Sequence, residues 1–282
     1  MTEQPLALAA PVSGKGHRDE NFPVASVLLR RQHRAPIMAF YRFARAADDI
    51  ADHELATPAE KLARLAAMRA GLAGAGAPEA LALREVMAVQ GLDPVHATDL
   101  LTAFERDVTV SRYADWDALI GYCRYSAMPV GRYVLDVHCE NRATWPANDA
   151  LCAALQVINH LQDCGKDYRS IGRVYIPLDA LAAHGARIED LAATRATPQL
   201  SATIVALARR TRGLLDQSAG FASLIRDRRL AAEVAAIHRL ATSLVDRLER
   251  FDPLSERVHH GKAEAAFIAA RAAIPMLLRR AA

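Results

Sequence analysis

Apolar residues return at three- and four-residue steps along nearly the whole chain, and two-residue alternation is almost absent. That period stacks side chains on one face of an α-helix, so the pattern predicts an all-α protein. Breakers rich in Gly, Pro and Asn interrupt it at 71–78, 91–94, 141–148, 165–185, 213–220 and 252–253. Between them the pattern predicts helices near 36–53, 58–71, 79–90, 94–110, 116–138, 148–167, 199–224, 230–250 and 262–278. The longest β-like run is Arg173-Val174-Tyr175-Ile176, which ends at Pro177. No breaker is long enough to be a linker and no internal repeat occurs, so 18–282 reads as one domain, a helical bundle, behind a flexible tail at 1–17.

Hydrophobic residues make up 52% of the 282 positions, enough for a sizeable core. The net charge is only +3 and the basic residues are spread out, which argues against nucleic acid as a partner. Such a balance suits an anionic small substrate or a membrane surface. Cys123, Cys139, Cys152 and Cys164 match no metal spacing and read as small apolar residues in a reducing compartment. Residues 1–13 lack a basic leader pattern, and no 18-residue apolar stretch occurs. A cytoplasmic protein is expected, either soluble or peripheral on the inner face of the membrane.

Asp-x-x-x-Asp occurs twice, as Asp48/Asp52 and as Asp163/Asp167. That spacing puts both carboxylates of a pair on one helix face. On a helix opened by Pro36 at its first position, Ile37, Tyr41, Ala44, Arg45, Asp48 and Asp52 share a strip about 100° wide. The acids therefore continue an apolar stripe. Gln156, Asn159, Asp163 and Asp167 fall within about 80° of one another on a helix otherwise apolar on most sides. Two carboxylates about 6 Å apart repel by roughly 3 kcal/mol at an effective dielectric near 20. Magnesium, which binds a few carboxylates together with phosphate oxygens, removes that cost. The constellation reads as a diphosphate-binding metal site between two helices. A solvated acidic face, with pairs such as Arg45 and Asp49, is the plain alternative. A di-iron site would need two Glu-x-x-His motifs, and only Glu256-x-x-His259 is present.

The set Tyr41-x-x-x-Arg45-x-x-Asp48-Asp49-x-x-Asp52 with Gln156-x-x-Asn159-x-x-x-Asp163-x-x-x-Asp167 resembles the squalene/phytoene synthase family. Tyr122-Cys123-x-x-x-Ala127-x-x-Val130-Gly131 and Arg173-x-Tyr175-x-Pro177 follow in the family's order. Gly16 to Ser26, together with Ser126-Ala127-Met128-Pro129-Val130-Gly131-Arg132, is similar to the bacterial subgroup that turns presqualene diphosphate and water into hydroxysqualene and diphosphate in hopanoid pathways. The resemblance implies a single-domain isoprenoid synthase bundle with a central cavity, two or three magnesium ions, and a prenyl diphosphate substrate. Neighbouring enzymes of the same pathway are implied as partners. Where condensing members carry a Ser-rich flap, this chain has Arg18-Asp19-Glu20-Asn21-Phe22, and Phe251 stands near where many carry a Tyr. Both departures count against condensation of two farnesyl units. The nearest rival is nonetheless a head-to-head condensing enzyme. A non-catalytic assembly protein of the same family is the rival of another class, though all four acids are kept.

The resemblance makes Asp48, Asp52, Asp163, Asp167 and Asn159 metal ligands. Arg45, Arg132, Arg173 and Tyr175 become candidates for holding the substrate. Phe22 and Phe251 become candidates for capping the cavity. Tyr41 is expected at the diphosphate or the pocket wall. Tyr122 or Tyr125 is expected to present a ring face or hydroxyl to a carbocation, and Gln156 to orient water. Each of these also has a plain reading as core, surface or helix ion pair. Pro129 lies inside a helical pattern, where a kink would open room for a prenyl chain. No Gly-x-Gly-x-x-Gly fingerprint occurs, in keeping with water rather than hydride as the quenching nucleophile. The segment 262–280 reads as a final bundle helix with a basic end, or as one resting on anionic lipid.

Overall fold

The computed structural model describes residues 30–278. Phe22, the Gly16 to Ser26 segment and the 1–17 tail lie outside the described residues. The helices are α1 (Arg31–Ala51), α2 (Pro58–Ala73), α3 (Pro78–Gln90), α4 (Val95–Thr109), α5 (Trp116–Ser126), α6 (Met128–Val137), α7 (Trp145–Ile171), α8 (Leu178–Ala183), α9 (Pro198–Ser218), α10 (Phe221–Leu224), α11 (Arg228–Leu248) and α12 (Lys262–Leu278). Among the described residues there is no strand, only a single parallel bridge between Arg112 and Val174. The β-like run read at 173–176 supplies that bridge.

Local chemistry sets the ends. Thr57 and Glu60 form a reciprocal capping box at the start of α2, with Pro58 at its first position. Asp115, Thr197 and Asp227 cap α5, α9 and α11 by accepting backbone N–H bonds. Gly172, at φ 67°, ends α7 in the left-handed region, where a side chain would be strained. It turns the chain straight into Arg173.

Three boundaries differ from the pattern. α1 begins at Arg31, so Pro36 sits in its second turn and does not open it. The proline deprives the Gln32 carbonyl of its helical N–H partner, at an exposed residue. The Pro36 carbonyl accepts from the buried Tyr133 hydroxyl at 3.2 Å. The segment expected as one helix over 116–138 is two helices, broken at Ala127 (φ −122°, ψ −46°). Pro129 lacks the N–H that continuation would need, and falls instead in the first turn of α6. The break therefore precedes the proline, where a kink within one helix was expected. Likewise 199–224 is α9 and a separate short α10 after Gly220.

α7 runs through the middle of the bundle and is buried on most of its faces, with Leu151, Val157, Ile158 and Leu161 in the core. It packs along α9, α6 and α11. The contact with α6 is close: a Cβ on Gly131 would lie 2.0 Å from Asn148 Oδ1 and 2.7 Å from Cys152 Sγ. α1 reaches α6 through Phe40, whose ring stacks on Tyr133 at 4.1 Å. At one end of this group His33, His138 and Asp227 meet. The two Nδ1 atoms lie 2.9 Å apart, and His138 Nδ1 lies 3.4 Å from Asp227 Oδ2. α12 packs along α11 and leaves Phe267, Ile274 and Leu278 exposed. No helix among the described residues is long and apolar enough to cross a membrane.

Candidate active site

The last turns of α1 and the middle of α7 face one cleft of about 320 Å³, and Asp48, Asp52, Asp163 and Asp167 all line it. Two segments more than a hundred residues apart thus bring both acid pairs to one space. Asp48 and Asp52 keep 39% and 42% of their side-chain surface accessible, and that surface forms part of the cleft wall. Burial, and next the charge of Asp52, pushes the Asp48 carboxyl up to about 7, with Arg45 acting against it. Burial, and next Asp163, pushes Asp167 up to about 7, with Lys166 acting against it. Carboxyls that repel in a confined space are what a divalent cation would relieve.

Two arginines hold the α1 acids. Arg45 forks across Asp48 and Asp49 at 3.0 Å each, an i,i+3 and i,i+4 arrangement that also lies on the cleft wall. Arg173 is 8% exposed. Its guanidinium donates to Asp52 Oδ1 at 2.7 Å, to the Asp107 carbonyl at 3.1 Å and to the Ala51 carbonyl at 3.4 Å. It thereby ties the end of α1 to the end of α4 and to the turn after α7. The Val174 N–H donates to the Ser111 carbonyl at 3.0 Å and fixes that turn.

An aromatic wall stands behind these acids. The hydroxyls of Tyr122 and Tyr175 donate to the two oxygens of Asp107, at 2.9 and 3.2 Å. Burial pushes Asp107 up to about 6, while Arg173 pulls it back. Tyr175 stacks on His160 with ring centroids 3.6 Å apart and 13° between planes. Burial, and next Arg173, drives His160 down to about 3, so the ring stays neutral. The Gln156 amide donates to His160 Nε2 at 3.0 Å. Gln156 and Asn159 both line the cleft.

The cleft adjoins an apolar chamber of about 270 Å³ among α1, α6, α7, α10 and α11. Tyr41, Ala44 and Val130 belong to both walls. Phe40, Leu151, Leu155 and Ile237 give the chamber its character, and Glu233 is an acid in its lining. The arrangement can hold a charged head beside acids and cations while a hydrocarbon tail lies among side chains that exclude water.

Tyr41, Arg45, Tyr122, Gln156, Asn159, Arg173 and Tyr175 are thus brought together with the four aspartates. Three other sequence candidates are not. Tyr125 lies under the Arg106 guanidinium, 4.4 Å from its ring centre. Arg132 is drawn to Asp149, bonded through Nε at 2.8 Å and through Nη2, and covers the Trp145 ring at 4.5 Å. Phe251 is 39% exposed in a separate hollow with Arg195 and Pro253. Asp107, His160 and Glu233 were not singled out from sequence. For Asp107 a signal existed, since Leu100, Phe104 and Asp107 follow helical spacing, so this acid too continues an apolar stripe.

Comparison with known proteins agrees with this geometry. The chain is 56% identical over 276 residues to the hydroxysqualene synthase of Zymomonas mobilis subsp. mobilis, covering 95% of this chain and 93% of that one. It is 55% identical over 249 residues to the hydroxysqualene synthase of Rhodopseudomonas palustris, covering 88% and 85%. Among solved structures, squalene synthase HpnC from Alicyclobacillus acidocaldarius superposes with a TM-score of 0.69 at 32% identity, over 80% of this chain and 87% of that one. Residues 16–264, which carry the cleft, the chamber and all four aspartates, match the squalene/phytoene synthase family, and the chain belongs to it.

Proposed function

We propose that this isoprenoid synthase converts presqualene diphosphate and water to hydroxysqualene and diphosphate, with magnesium as its cofactor. One observation carries the reading: two Asp-x-x-x-Asp pairs line a single cleft that adjoins an apolar chamber. The relatives at 56% and 55% identity, named hydroxysqualene synthases, support water as the second reactant.

Asp48, Asp52, Asp163 and Asp167 would hold the ions, with Asn159 at the edge of the set. Magnesium, when bound there, supplies Lewis-acid stabilisation of charge on the departing diphosphate. Arg45 adds a guanidinium fork suited to phosphate oxygens. Arg173 keeps Asp52 aimed by gripping it from behind. Tyr122, pinned through Asp107, would present its ring to a carbocation, and Tyr175, stacked on His160, backs it. Gln156 stands where it can orient a water. The chamber keeps other water away from the cation and limits side products. Substrate and product are lipids, so the enzyme works at a membrane surface in this reading. The exposed Phe267, Ile274 and Leu278 on α12 support that, and co-sedimentation with anionic vesicles checks it.

Incubation of the purified protein with magnesium and no NADPH decides the reaction. Presqualene diphosphate should give hydroxysqualene, and farnesyl diphosphate alone should give nothing. Turnover of farnesyl diphosphate by itself would replace this reading with that of a condensing enzyme.

A further inference from the structure

Among the described residues that line the apolar chamber, Glu233 is the one carboxyl. It is 6% exposed and lies on α11, with Leu230, Val234 and Ile237 beside it in the chamber wall and Ile37 and Phe40 contributed from α1. Burying a carboxyl among such side chains is unfavourable, and a Leu or Met would pack there without that penalty. It nonetheless places a Brønsted base in an otherwise largely apolar wall.

The reaction proposed above has a use for such a base. A carbocation captured by water yields an alcohol only after a proton is lost, and in a dry chamber that proton needs an acceptor. The other polar side chains in the lining are poor acceptors. The Tyr133 hydroxyl donates to the Pro36 carbonyl. Asn148 donates to the Met128 carbonyl and to Asp149. Burial holds the Cys152 thiol protonated, pushed up to about 12. Tyr41 is a phenol at the mouth. Outside the chamber, both oxygens of Asp107 accept from Tyr122 and Tyr175, and the four cleft aspartates are assigned to cations.

We propose that Glu233 is the general base for water capture, an inference that rests on the hydroxysqualene-forming reading. The water oxygen donates a lone pair to the cationic carbon and a C–O bond forms. One O–H bond of that water breaks, its electron pair stays on oxygen, and the proton passes to a carboxylate oxygen of Glu233. Cation and carboxylate become a neutral alcohol and a neutral carboxylic acid, so charge balances and nothing is oxidised or reduced. A carboxylate has about four acceptor sites, so the contact that Glu233 already makes leaves acceptor capacity for a water. The departing diphosphate is the competing base, at the opposite, cleft end.

The test compares wild type, Glu233→Gln and Glu233→Met on presqualene diphosphate with magnesium, with products separated by gas chromatography. Removing a general base lowers the step it serves by about 10²-fold or more. Hydroxysqualene formation should fall by that factor in both variants, and the share of hydrocarbons formed by proton loss should rise. Glu233→Asp should restore part of the alcohol. Hydroxysqualene at the wild-type rate and share from Glu233→Gln would overturn the proposal and leave the diphosphate as base. Failure of both variants to give a cooperative melt would overturn it too, by making Glu233 a folding element. Wild type that makes no hydroxysqualene at all would instead sink the reaction reading itself.

Discussion

At the residue scale, the cleft crowds like charges into a confined space. Asp48 is pressed by burial and by Asp52. Asp48→Asn should therefore raise the melting temperature of the metal-free protein by a few degrees while abolishing turnover, with the helical circular dichroism signal unchanged. Saturating magnesium should close the gap in melting temperature, because only wild type gains fully from the cation. Retained turnover in Asp48→Asn and Asp163→Asn would remove the metal assignment. Arg173 makes the opposite case. It serves three acceptors on two other elements, and a Lys cannot span them. Arg173→Lys should cost about 2 kcal/mol in urea unfolding, within the range for hydrogen bonds to charged groups. The four aspartates and Arg173 were legible because their spacing or motif marked a face. Asp107, His160 and Glu233 were not, since a single polar residue in a helical pattern looks the same facing in or out. Arg132 and Tyr125 lie outside the cleft wall for a related reason: Asp149, Trp145 and Arg106 hold them, and none of those pairings is written in local spacing.

At the scale of elements, the α6–α7 contact and the histidine pair are the sensitive places. Gly131→Ala would push a methyl into Asn148 Oδ1 and Cys152 Sγ. Overpacking of that kind costs about 1–3 kcal/mol, and thermal denaturation should show it. His138 is buried against His33, and burial lowers its pKa to about 4, below the ordinary 6.5. Burial lowers His33 as well, with Asp227 raising it and Arg30 lowering it. At these histidines the unfolded chain therefore binds more protons between these values, and their contribution to stability falls as pH drops from about 6.5 toward 4. For His138 the full loss is roughly 3 kcal/mol. Asp48, Asp107 and Asp167 have raised values and work in the other direction, so the measurement is the difference between wild type and His138→Asn. That difference should shrink through the same window, and a flat one would show that the pair carries no linkage. Most element boundaries could be read from breakers and caps. The break at Ala127 could not, because Pro129 permits either a kinked helix or a restart, and contacts between the helices choose.

At the scale of the molecule, the all-α class followed from periodicity alone. The central place of α7 followed from its apolar residues spreading over most of its circumference. A central cavity came only with the family resemblance, because its walls come from α1, α6, α7, α10 and α11, five segments whose mutual packing no local pattern encodes.

Tyr41, Ala44 and Val130 belong at once to the polar space and to the greasy one. They form a waist between the two, and in the proposed reading a long isoprenoid tail would lie past it when its anionic end is seated. A bulkier group there should act as a turnstile set by girth rather than by charge. Ala44→Leu should keep pyrophosphate affinity, measured by calorimetry with magnesium, and lose turnover of the thirty-carbon substrate. Equal loss of both would mean that head and tail do not enter by way of this narrowing.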